Sequence, residues 1–89
     1  MAAPLDKAEH WFYVGIYRQE QRQFKAAAEA YRTTVELRPQ DSEAHFRLGE
    51  CLEASGDRKA AAEAFRQALR HRPDMAKARD RLAIVTQQP

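Results

Sequence analysis

The sequence predicts an all-α fold built from two copies of a helix-pair unit and a closing helix. Three observations predict it. Residues 8–41 laid over 42–75 give 12 identities in 34 positions, where composition alone gives roughly two or three. Apolar residues recur at spacings of three and four, which line up one face of a helix. The chain holds only three glycines and four prolines, is 44% apolar and 31% charged, and so suits a soluble helical protein better than a sheet or a disordered chain.

The elements follow in order. Asp6 is placed to cap a first helix over 7–20, on which Trp11, Val14, Gly15 and Arg18 share a core stripe. A second helix over 24–37 carries Ala27, Ala30, Tyr31 and Thr34 on one face and stops before Pro39, whose ring clashes with the preceding turn and donates no hydrogen bond. The third and fourth helices, over 41–54 and 58–71, repeat the pair, with Gln40 a poorer cap and Pro73 a second stop. The densest match sets Lys25–Arg32 against Lys59–Arg66, where only Tyr31 and Phe65 differ. A fifth helix is expected over 74–87, capped by Asp74, with Leu82 and Ala83 in step with Leu48 and Gly49. A single domain is expected over 7–87, with repeats at 8–41 and 42–75, a capping helix at 76–87, and flexible ends at 1–6 and 88–89. A glycine inside a helix costs about 1 kcal/mol relative to alanine. Recurrence of Gly15 as Gly49 therefore signals close packing, with Tyr31 and Phe65 filling the space between helices.

Composition also excludes function classes. Fifteen basic against thirteen acidic residues leave a net charge of +2, far below the excess of a dedicated nucleic-acid binder. The run Arg66, Arg70, Arg72, Lys77, Arg79 and Arg81 is interrupted by Asp74 and Asp80, and RNA binding is a distant reading. His10, His45 and His71 form no metal-ligand spacing with one another or with Cys51, so separate side chains, no metal and no cofactor are expected. Cys51, the one cysteine, reads as an inert core thiol. Glu43, Glu50 and Glu53 read as a solvated charged face rather than a catalytic pair. No phosphate-cradling glycine loop or nucleophile elbow is present, and an enzyme is not expected. The absence of a signal-peptide pattern and of an 18-residue apolar run leads to the expectation of a cytoplasmic protein without membrane contact.

The period of 34 residues, with Trp11, Val14, Gly15, Ala27, Tyr31 and Pro39 in one copy and His45, Leu48, Gly49, Ala61, Phe65, Ala68 and Pro73 in the next, resembles the tetratricopeptide repeat family. Arg18, Thr34 and Arg22 depart from the pattern, the last standing where Gly56 keeps the inter-helix glycine. The resemblance implies a right-handed solenoid of helical hairpins and a non-catalytic scaffold that holds a peptide or partner helix on a concave face built by the first helix of each pair. The residues placed there are Phe12, Tyr13, Ile16, Phe46, Arg47, Glu50, Lys77, Arg81 and Ile84, a mix of aromatic anchors and fixed charges suited to a binding surface. Phe12 and Phe46 are expected off the core, open to a partner. Lys77 and Arg81 match part of the lysine, asparagine and arginine clamp by which one subset grips C-terminal carboxylates, but Phe12, Ile16 and Arg47 replace its other members. Arg47 and Arg81 still suggest an acidic or C-terminal peptide partner. The alternative is self-association or docking to another domain through the apolar first helix, around Tyr13 and Tyr17, whereas Arg79 and Thr86 make the opposite end look finished.

Overall fold

The computed structural model describes residues 4–87 and contains five helices: α1 (Lys7–Glu20), α2 (Phe24–Leu37), α3 (Ser42–Ala54), α4 (Arg58–His71) and α5 (Ala76–Thr86). Among the described residues there is no strand. Each helix packs on the next, α1 on α2, α2 on α3, α3 on α4 and α4 on α5, giving a slab 52 × 27 × 18 Å. The expected flexible ends fall partly outside the described residues, at 1–3 and 88–89.

Local chemistry sets the helix starts. Asp6 and Glu9 form a capping box, each carboxylate accepting the other residue's backbone N–H, at 2.8 and 3.2 Å. Asp41 and Asp57 cap α3 and α4 through the backbone N–H groups of Ala44 and Ala60, each at 3.1 Å. Two expectations are corrected here. The cap of α3 is Asp41, not Gln40, and α5 begins at Ala76 rather than at 74, with Met75 and not Asp74 in the cap position. The turn Arg38–Asp41 recurs as Arg72–Met75, each closed by a backbone bond of 3.1 Å. The cap register therefore falls on Asp41 and Met75, and Met75 gives its side chain to the core, where it is 4% exposed. Without an aspartate cap at its start, α5 is held at its other end. The Arg58 guanidinium donates to the carbonyls of Ile84, Val85 and Gln87 at 2.9 to 3.4 Å, satisfying acceptors that a helix C-terminus leaves open.

The turns inside both pairs are alike. The Gln23 N–H donates to Arg18 O and the Arg22 N–H to Gln19 O; Asp57 to Leu52 and Gly56 to Glu53 repeat the arrangement, all at 2.9 to 3.0 Å. This closure requires a left-handed residue just past the helix. Gly56 supplies it at φ 90° and Arg22 is forced into it at φ 61°.

Packing within each pair depends on glycine. A Cβ at Gly15 would stand 2.5 Å from the Tyr31 ring, and one at Gly49 equally close to Phe65. Both rings are fully buried, among Ala27, Ala61 and Ala68, so neither has room to retreat. Thr34, also buried, satisfies its hydroxyl on Ala30 O at 3.1 Å. Trp11, expected in the core stripe, is only half buried and meets His10 edge-on at 5.2 Å between centroids. Its counterpart His45 is buried because α2 covers α3, whereas no described helix covers the same side of α1.

Two stability predictions follow from these contacts. Arg22→Gly relieves a strain of about 1 kcal/mol, against the loss of a cation–π contact between Arg22 and Phe24 at 5.4 Å and the greater freedom of glycine in the unfolded chain. A net gain of a few degrees in the thermal midpoint is expected by calorimetry, and an unchanged or lower midpoint would show that the turn is unstrained. Gly49→Val drives two methyl groups into the Phe65 ring and is expected to cost about 2 kcal/mol or more in chemical denaturation.

Candidate functional site

The first helices of the pairs, α1 and α3, and the closing α5 share a face, and a polar network that links side chains of successive units runs across it. Tyr31 reaches up from α2 and donates its hydroxyl to Gln19 Oε1 at 2.7 Å. The Gln19 amide nitrogen donates to Glu50 Oε1 at 3.1 Å, while Arg47 Nη1 approaches Gln19 Oε1 at 3.4 Å. Arg47 Nε donates to Glu43 at 3.2 Å, and Lys77 brings its ammonium to both oxygens of that carboxylate at 3.0 and 3.2 Å. One period further on, Arg81 grips Glu53 with two nitrogens, Nε at 3.1 Å. Gln19 with Arg47 and Glu53 with Arg81 are the same pair of positions, an amide with a guanidinium in the first case and a carboxylate with a guanidinium in the second.

Each site residue expected from the sequence has a definite place. Phe12 is half buried, tilted against Tyr31 at 5.8 Å and edge-on to Tyr13 at 5.8 Å. Ile16 is half buried beside the core. Tyr13 is 54% exposed and Ile84 42% exposed. Phe46 is a correction: it belongs to the core at 5% exposure, with its ring against Phe65 at 5.6 Å and the Lys77 ammonium over its face at 4.6 Å. It sits deeper than Phe12 because α3 is flanked on both sides, by α2 and α4. A partner therefore meets Lys77 before it meets Phe46.

The charges are also less open than expected. Arg47, Lys77 and Arg81 are each paired within the chain, to Glu43, Glu43 and Glu53. Glu43, Glu50 and Glu53 are half-buried members of this network rather than a solvated face. His45 and His71, expected as separate side chains, stack in parallel with centroids 5.9 Å apart, and a ring nitrogen of His45 lies 2.8 Å from Pro39 O. Cys51 is fully buried as expected, and its thiol is pushed up to about 12, first by burial and then by the charge of Glu50. It is neutral and unreactive at neutral pH.

An open cleft of about 500 Å³ crosses this face, lined by Gln19, Phe24, Glu50, Glu53, Ala54 and Arg81. Of these, Gln19, Phe24 and Glu53 were not expected from the sequence. Gln19 and Glu53 occupy one register position and point toward Arg47 and Arg81, 28 residues later in each case. That spacing of opposite or complementary polar groups was available in the sequence. A depression of about 440 Å³ between α4 and α5, lined by Arg58, Lys59 and Arg66 among others, contains Arg66 of the basic run but none of the residues expected on the concave face. Neither cleft holds a nucleophile next to a base. No helix among the described residues is long and apolar enough to cross a membrane.

Comparison with known proteins fits this geometry. The sequence model of the tetratricopeptide repeat matches residues 15–76 and, separately, 53–85. Solved structures of two mutants of MamA are similar in fold, each with a TM-score of 0.84 at 24% identity. They match over 90% and 94% of this chain, which spans 44% and 61% of theirs. No curated protein matches the sequence.

Burial divides the two aromatic residues that the sequence placed side by side on this face. Phe46→Ala is expected to cost about 3 kcal/mol or more in denaturant unfolding, as for a core ring, and Phe12→Ala clearly less, because its ring is already half open to water. Equal losses would show that both rings have the same role.

Proposed function

Since this chain belongs to the tetratricopeptide repeat family, whose members are generally non-catalytic protein–protein scaffolds, we propose that it docks a short peptide or helix of a partner protein on the concave face formed by α1, α3 and α5. The observation that carries this reading is the cleft between Gln19, Phe24, Glu50, Glu53, Ala54 and Arg81. Its walls come from four helices, and hydrogen bonds between those helices hold its polar groups in place. Preformed groups lose little entropy on binding. Half-buried Phe12 and Ile16 and exposed Ile84 extend the same face with apolar surface at either end. With so few repeats the contact area is small, and an affinity on the order of micromolar is expected.

A second reading, self-association through α1, has its own observation. Leu5, Tyr13 and Tyr17 are 53%, 54% and 63% exposed, whereas Cys51, one period after Tyr17, is fully buried under neighbouring helices. Large aromatic surface at this end suits a second copy or another helix.

The two readings separate by mutation. Ile16→Arg on the concave face is expected to leave the helical circular dichroism intact and to weaken capture of a partner at least tenfold, while Tyr17→Glu leaves capture unchanged. If Tyr17→Glu alone abolishes binding, or if sedimentation shows a dimer that Tyr17→Glu dissociates, the outer face of α1 is the working surface.

A further inference from the structure

We infer that the cleft on the α1–α3–α5 face selects a basic partner segment, one lysine or arginine beside an apolar residue, rather than an acidic one. The inference rests on the reading of that face as the docking surface and adds the charge of its ligand. Among the cleft residues Glu50 and Glu53 face a single guanidinium, Arg81, so the formal balance is one negative charge. Arg81 is committed to Glu53. Glu50 receives only the neutral amide of Gln19, at 3.1 Å, although an ionised carboxylate offers about four acceptor sites.

The cost of binding differs sharply between the two kinds of ligand. Within the cleft, an entering carboxylate would have to draw Arg81 from Glu53, leaving a half-buried carboxylate without its cation beside Glu50, which accepts only from an amide. Stripping a partner from such a group is costly. An entering ammonium or guanidinium breaks no ion pair and completes Glu50. Phe24 and Ala54 supply apolar surface next to that carboxylate, against which an apolar neighbour of the cation, or the cation's own methylene stem, can lie.

The test is an NMR titration of the isotope-labelled protein with two synthetic decapeptides of leucine and serine, one bearing lysines and the other glutamates at the same positions. The lysine peptide is expected to shift the amides of Gln19, Phe24, Glu50, Glu53 and Ala54 saturably, and to bind less well at high salt. Glu50→Gln, which keeps the hydrogen-bonding shape, should weaken it about fivefold or more. Arg81→Ala, which releases Glu53, should strengthen it. Saturable binding of the glutamate peptide to the same amides, or an unchanged affinity in Glu50→Gln, overturns the charge preference and leaves the docking face standing. Shifts confined to Tyr17 and its neighbours overturn both. Failure of the lysine peptide to bind at millimolar concentration also counts against the inference.

Discussion

The contact on which the rest of this molecule depends is the one between a glycine backbone and an aromatic ring, Gly15 against Tyr31 and Gly49 against Phe65. No side chain larger than hydrogen fits there, since a Cβ would stand 2.5 Å from ring carbon. Two helices pressed this closely leave the ring edge between them, where it also meets the next helix. Tyr31 thereby makes three contacts with α1: it fills the space at Gly15, packs against Phe12, and sends its hydroxyl to Gln19 on the shared face. Phe65 fills the second pair without the hydroxyl. In its place, the second copy has an ionic pair, Glu53 with Arg81, where the first has the amide Gln19. Burial drives the Tyr31 phenol well above its ordinary range, which keeps its hydroxyl a hydrogen-bond donor at neutral pH.

Because the close contact recurs every 34 residues, so does the offset between successive first helices. Side chains 28 apart in sequence then become neighbours across the face, and the amide–guanidinium and carboxylate–guanidinium pairs are the result. Such pairs contribute modestly to stability when half exposed. They also leave Arg47, Lys77 and Arg81 each facing a carboxylate of this chain. A face that looks basic in a helical-wheel reading is thus neutralised by the helix one period away.

The fold was legible in the sequence because its determinants are local and repeated. The 34-residue register, the proline stops and the positions of Gly15 and Gly49 located all five helices to within about two residues, and Arg22 opposite Gly56 disclosed the left-handed turn. What was not legible depends on neighbours distant in the chain. Phe46 lies on the same helix face as Phe12, and periodicity cannot say that α3 is flanked twice and α1 once. The same asymmetry leaves Trp11 half open and buries His45. Asp74 was a sound cap by residue type, but the turn geometry inherited from Arg38–Asp41 places the cap one residue later, at Met75. The stack of His45 on His71 joins two helices whose relative height no spacing rule sets.

That asymmetry also separates the two candidate surfaces physically. On α3, Ala44, His45, Leu48 and Cys51 are all buried; on α1 the same register positions are His10, Trp11, Val14 and Tyr17, and all are at least partly open. Tyr17 is far larger than Cys51, so a helix seated there as α2 sits on α3 would stand further from the α1 axis. The outer face of α1 is therefore not a vacant copy of an internal repeat junction. It is aromatic and exposes Tyr13 and Tyr17. The α1–α3–α5 face, by contrast, is defined by that geometry, and Glu50, which accepts from the Gln19 amide and enters none of the ion pairs on it, lies where three helices have already paid the entropy of fixing their side chains.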